Sequence, residues 1–321
     1  MSWPSGGQDL VVANGTTYRL APNDIPHFKN VIIQKGGTFI IGTSFFAANP
    51  WAIVGCSGDF ILQGTLLVRG SPIFESKTYQ FVAPDGVNLN RNFVQSNGAP
   101  GGAAYTTPQQ PGGGPGAPQF GNGGGGGAPH GNGYPASANQ GGSGGTTHMS
   151  TPPNQWHIGA GGAGGSVASN ENSSAGNGQD GGSQSGGVGA TGGGGGGGAR
   201  GLHGGLLYLR VRGHFIATDG LIDMSGGDGG KGGNGGSASN RPPQRPHASG
   251  AGGGGGAGGN GGYALVRFGK NLQRGLENTA AGRGGSGGAA GSASDSWGKP
   301  GTAGQSGASG MTGEISYEHQ A

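Results

Sequence analysis

The sequence predicts a mostly β protein carrying a polyglycine-II helix bundle, with almost no α-helix. Three observations carry this expectation. The apolar residues come in short β-branched and aromatic runs without helical spacing; those runs recur as a degenerate repeat; and the glycine tracts have a period of three.

The first strands are expected in LVVANGTTYRL (10–20), which reads as a hairpin around Asn14-Gly15, a pair suited to a positive-φ turn. Val31-Ile32-Ile33 and Thr38-Phe39-Ile40-Ile41-Gly42 follow, separated by Lys35-Gly36-Gly37. The next runs are Ala52-Ile53-Val54-Gly55, Gly58-Asp59-Phe60-Ile61-Leu62 and Gly64-Thr65-Leu66-Leu67-Val68. Short strands at close, even spacing predict the coils of a β-solenoid-like part. GDFILQGTLLVRGS (58–71) returns as GHFIATDGLIDMSGG (213–227), and more weakly as GKNLQRGLENTAAGRGG (269–285). The two later copies follow related strands, Leu206 to Val211 and Tyr263 to Phe268.

Of the 86 glycines in 321 residues, 11 lie in residues 1–97 and the other 75 in 98–321. Average usage is roughly 7%. Two parts are therefore expected: a β-rich attachment part, 1–97, and a glycine-rich part, 98–321, with interleaved strands at 205–224, 262–268 and 313–318. Residues 226–237 read GGD GGK GGN GGS, with shorter copies at 161–166, 258–263 and 284–289. Three residues per turn is the period of polyproline-II geometry, which has no internal hydrogen bonds and must donate its amides to neighbouring chains. Such composition usually means disorder; the alternation with patterned strands points instead to an ordered bundle.

The large side chains of the second part are confined to short segments between glycine runs. They are Tyr105, Phe120, His130 and Tyr134, then His148 and Trp156, then Arg241, Arg245 and His247 in NRPPQRPH, and Trp297. A glycine bundle has little side-chain surface, so recognition falls to the loops at its ends. Tyr, Trp and Arg are the residues that dominate binding hot spots. These ten residues are the candidate binding set.

Gly-Gly-X runs alternating with aromatic and polar segments resemble the tail-fibre tip adhesins of T-even-like phages, over roughly residues 98–310. The resemblance implies a polyglycine-II sandwich whose loops bind a host outer-membrane protein or surface polysaccharide. Two features depart from it: strands at 206–224 and 263–268 interrupt the glycine, and residues 1–97 do not match that family's attachment domain. A structural subunit of a self-assembling extracellular filament or matrix fibre is the alternative, with residues 1–97 pairing between copies rather than docking to a fibre.

Little else in the sequence suggests chemistry. Gly-x-Gly-x-x-Gly matches carry no weight in this background, Lys231 and Lys299 are not followed by Ser or Thr, and the eight histidines show no paired ligand spacing. Asp219, Asp223 and Asp228 read as turn and cap residues rather than as a glycosidase pair. The expectation is a non-enzyme without cofactor or metal. The net charge of +3 is scattered without a basic run, so no nucleic-acid partner is expected. Cys56 is the lone cysteine, and neither a secretory signal nor a membrane span is evident. Those features suit a virion protein made in a host cytoplasm, or alternatively an extracellular one.

Overall fold

The computed structural model describes residues 7–20, 24–45, 49–70, 76–93, 98–99, 174–180, 183–185, 195, 198–239, 247–293, 298–299 and 301–320. These residues form strands, turns and extended segments, with no helix among them.

The chain makes five circuits, each adding one strand to each of three parallel sheets. The first circuit is β1 (Leu10–Val12), β2 (Thr17–Leu20) and β3 (His27–Phe28). The second is β4 (Val31–Ile33), β5 (Thr38–Thr43) and β6 (Trp51–Cys56). The third has β7 (Phe60–Leu62) and β8 (Thr65–Gly70), then a long excursion holding β9 (Lys77–Val82), β10 (Asn88–Phe93) and β11 (Gln184–Ser185), before β12 (Leu206–Val211). The fourth runs β13 (Phe215–Ile216), β14 (Leu221–Asp223), an excursion with β15 (Ala238–Ser239) and β16 (His247–Ala248), then β17 (Tyr263–Phe268). The fifth is β18 (Leu272–Gln273), β19 (Leu276–Asn278), an excursion with β20 (Gly298–Lys299), and β21 (Glu314–His319). The sheet orders are β1-β4-β7-β13-β18, β2-β5-β8-β14-β19 and β3-β6-β12-β17-β21.

In-register stacking explains the sequence repeat. Phe60 faces Phe215 and Phe215 faces Leu272, while Thr65, Leu221 and Leu276 share a row. The boundary expected near residue 97 does not divide these sheets, because each takes strands from both sides of it. The hairpin expected at 10–20 is instead a corner. β1 and β2 lie in different sheets, each pairing in parallel with a strand of the next circuit. The positive φ at Gly15 is as expected, and its amide donates to Gly36, the turn residue one circuit on.

Along the longer strands of the three parallel sheets alternate residues point inward, and those inward residues make the core. Val54, Leu209, Val266 and the partly buried Tyr317 form one row; Val31, Phe60 and Phe215 belong to another, with the Phe60 and Phe215 rings stacked at 5.4 Å. Alternation puts Trp51, Ile53, Leu206 and Tyr208 on the outer face of the third sheet. There the β9–β10 hairpin covers them with Tyr79, Leu89 and Phe93. Asp85 in the hairpin turn accepts from Tyr208 Oη (2.7 Å) and pairs with Arg210 (3.2 Å) and Arg267 (3.7 Å). Burial, then the bond to Asp85, pushes the Tyr208 phenol well above its usual range.

Corners between circuits are closed by a chain of side-chain acceptors. Asp9 takes the amide of Asn30, Asn30 that of Asp59, and Asp59 that of His214. Cys56 is buried beside this corner, its thiol donating to the Lys29 and Asp59 carbonyls, and burial pushes its pKa up to about 11.

Where the excursion of the fourth circuit leaves, Arg69 is almost fully buried and pairs with Asp223 at 2.9 Å, also donating to the Asp223 and Ser225 carbonyls. Burial alone would raise the Asp223 carboxyl, but the Arg69 guanidinium and the Ser225 amide and hydroxyl outweigh it and hold it below its usual range. Arg69→Met leaves that largely buried carboxylate without its cation, with only the Ser225 and Asn278 bonds remaining. It is expected to cost about 3 kcal/mol at neutral pH, read from urea melts. Because the Asp223 pKa is depressed on folding, the wild-type advantage should be complete above the ordinary carboxylate range and shrink as pH falls through it.

Candidate functional site

The last two excursions leave the second sheet as extended glycine-rich segments, the first does so only beyond the β9–β10 hairpin, and all three return to the third sheet as such segments. Outgoing segments are 174–180, 225–236 and 279–293; returning segments are 195–204 (196–197 lie outside the described residues), 249–262 and 301–313. Within each set neighbours run parallel and bond once per triplet. Gly226, Gly229, Gly232 and Gly235 donate to Ala280, Arg283, Ser286 and Ala289, and Gly252, Gly255, Gly258 and Gly261 donate to Thr302, Gln305, Ala308 and Met311. Between the sets the segments run antiparallel: Gly253, Gly256 and Gly259 donate to Gly233, Gly230 and Gly227. The six segments therefore stack as two layers of three.

Close approach explains the glycine. A Cβ on Gly229 would fall against the Gly256 oxygen, 2.6 Å from its carbonyl carbon and 2.7 Å from the Ala257 oxygen. Gly232 meets Gly253 in the same way. All residues from 249 to 262 are buried, whereas in 301–313 the glycines are half-buried and the other positions exposed.

The third position of several triplets has a second task. Asn177 Oδ1 accepts the Lys231 amide (2.8 Å) while Gly178 donates to the Lys231 carbonyl (2.8 Å). Asp228-Gly229 grips Arg283 likewise, Asn234-Gly235 grips Ala289, Asn260-Gly261 grips Met311, and His203-Gly204 grips Asn260. In each case an Asx-Gly or His-Gly pair holds both polar groups of one residue in the next excursion. Sequence reading missed these residues, although Asn-Gly and Asp-Gly recurring at the triplet spacing was a signal in plain view. Asp223, expected at a turn or cap, does take the Ser225 amide, and it also holds the unexpected ion pair to Arg69; Asp228 is instead a grip within an extended segment.

The far ends of the excursions are tied together. β11 pairs with β15, and β16 with β20, all in parallel. The chain on either side of 240–246 and 294–297 is therefore held at one end of the glycine layers, away from the sheets. His247 lies in β16, its backbone opposite Gly298. Arg241, Arg245 and Trp297 fall within those two stretches and lie outside the described residues. So do Tyr105, Phe120, His130, Tyr134, His148 and Trp156.

Other candidate chemistry is sparse among the described residues. No group of three or more His, Cys, Asp or Glu side chains is arranged to hold a metal, and no helix is long and apolar enough to cross a membrane. A cavity of about 50 Å³ between β10 and the roots of the returning segments, lined by Arg91, Phe93, Tyr263 and Met311, has room for little more than water. Its aromatic face is taken, since the Arg91 guanidinium lies 4.5 Å from the Tyr263 ring centroid. Comparison with protein-family models, with curated proteins and with solved structures finds no match.

If close approach is what selects glycine, Gly229→Ala and Gly232→Ala should each destabilise by about 1–3 kcal/mol, because the clashing atoms are backbone. Ser286→Ala, at an exposed third position, should leave the thermal melt unchanged. Asn234→Ala should lose about 1 kcal/mol while Asn234→Asp, which keeps the acceptor, loses less.

Proposed function

We propose that this chain is a receptor-binding adhesin at the tip of a phage tail fibre. In this reading the three-sheet coil is a short β-solenoid, and the six glycine-rich segments are polyglycine-II helices that carry recognition turns away from it. It is a binding protein rather than an enzyme. Its receptor is a host outer-membrane protein or surface polysaccharide, and residues 1–97 dock it to its fibre.

The observation that carries the proposal is the pairing of β11 with β15 and of β16 with β20 at the far end of the excursions. It brings the roots of separate aromatic and basic turns to one end of a scaffold whose own side chains are mostly absent or engaged. Triplet-spaced bonds to three directions and the clashes a Cβ would meet support the polyglycine-II assignment. At about 3.1 Å per residue, the 12 positions from 225 to 236 would carry a turn about 37 Å from the sheets.

Adsorption tests the binding set. Trp156→Ala, Tyr105→Ala and Trp297→Ala should each weaken binding of the purified protein to whole host cells about tenfold or more, with unchanged melting, as hot-spot truncations do. Undiminished binding by a variant lacking all ten candidate side chains would overturn the assignment.

A filament subunit is the second reading, favoured by the edge strands β1, β2 and β3 at one end of the coil and β18, β19 and β21 at the other. Glu277, Glu314 and Glu318 along the last circuit place charge on that edge, which supports the first reading. Light scattering with negative-stain microscopy separates the two. Discrete monomers or small oligomers are expected, and long filaments assembling unaided would favour the subunit.

A further inference from the structure

His203 heads a relay across all three returning segments. Its Nδ1 accepts the Asn260 amide at 2.8 Å, and Asn260 Oδ1 in turn accepts the Met311 amide at 2.9 Å. The relay lies where the segments rejoin the third sheet, next to the bond from the Gly70 amide to the His203 carbonyl (2.8 Å). The ring is wholly buried and edge-on to Phe45 and Phe93, with centroids 6.2 and 6.3 Å away.

We propose that His203 is an acid-sensitive latch: protonation of its imidazole releases Asn260 and loosens the root of the returning layer. The argument is one of donors and acceptors. The other grips are insensitive to mild acid. Asn177, Asn234 and Asn260 do not titrate, and an Asp such as Asp228 keeps a carbonyl oxygen even when protonated. An imidazole has one acceptor nitrogen, and His203 spends it on Asn260. With Nδ1 accepting, the ring proton is on Nε2, which has no hydrogen-bond partner. A second proton would turn Nδ1 into a donor facing a donor.

The surroundings oppose that second proton. Burial, then the charge of Arg200 one triplet earlier, pushes the imidazole down to about 3. Phe45, Phe93 and the Asn260 segment bring no ionisable group to the ring. Arg69 at the adjoining corner is paired with Asp223, and Arg91 on the strand of Phe93 with Glu314. Among the described residues no carboxylate is left to hold an imidazolium. Since the folded-state value is depressed, the latch is fully closed above the ordinary His range near 6.5, and its contribution declines as pH falls from there toward 3.

Amide hydrogen exchange of the full chain between pH 7 and pH 5 tests this, with intrinsic rates corrected. The opening constants of the Asn260 and Met311 amides should rise about tenfold per pH unit below about 6.5. Those of Ala289 and Arg283, held by Asn234 and Asp228, should stay flat. His203→Asn puts at this position the residue found one excursion later, and should abolish the slope at Asn260. Parallel behaviour of all four amides in the wild type would overturn the proposal, and that comparison needs no variant. A slope surviving in His203→Asn would also overturn it.

Discussion

Everything in this molecule hangs on one register. A parallel sheet fixes the offset between a strand and its neighbour, and here that offset continues unchanged into the glycine segments. Asp223 lies opposite Asn278, 55 residues on, and Asp228 grips Arg283, again 55 on. Leu206 and Tyr263 are 57 apart, as are His203 and Asn260; Tyr263 and Glu314 are 51 apart, as are Asn260 and Met311. Sheet neighbours stand about 4.8 Å apart. Glycine backbones can be brought to a comparable spacing because nothing projects between them. The sheets therefore act as the jig that sets the glycine layers.

The coil and the excursions are stabilised by different physics. In the coil, inward Phe, Val, Ile and Leu leave water, at roughly 25 cal/mol per Å² of apolar surface. In the excursions there is almost no apolar surface to bury, and ordering glycine costs more conformational entropy than ordering any other residue. What offsets that cost is completeness of hydrogen bonding at buried backbone. The Asx-Gly grip matters because the third residue of a triplet turns its amide outward, where the next backbone offers no carbonyl. A short side-chain oxygen from the preceding excursion fills that vacancy. The same device closes the corner at Asp9, Asn30 and Asp59, so one solution serves both regions.

Much of this was legible in the sequence. The short β-branched runs gave the strands, and the repeat at 58–71, 213–227 and 269–285 gave the stacking. What sequence could not give was that strands on both sides of residue 97 share sheets, since an excursion of more than 130 positions separates β8 from β12. The corner at Asn14-Gly15 looked like a hairpin because local turn chemistry is the same for both; only the partners of the two arms distinguish them, and those lie a circuit away. The β9–β10 hairpin was missed although KTYQFV and NLNRNF alternate polar and apolar residues as half-buried strands do; each offers only two or three apolar side chains, and what they cover, the outer face of the third sheet, is built from residues far away in sequence. The ten candidate binding residues were chosen by chemistry alone, and of their positions only that of His247 is described.

The division of labour has a consequence for how the sequence can vary. Within the glycine layers a substitution meets backbone on nearly every side, so the three-residue period is held rigidly. At the third position the constraint relaxes to a short acceptor, and Asn, Asp and Ser all fill it: Asn177, Asp180 and Ser183 bond successive amides of one neighbouring segment. Stability is thus set in two places, by the apolar rows inside the sheets and by the backbone ladder of the glycine rows.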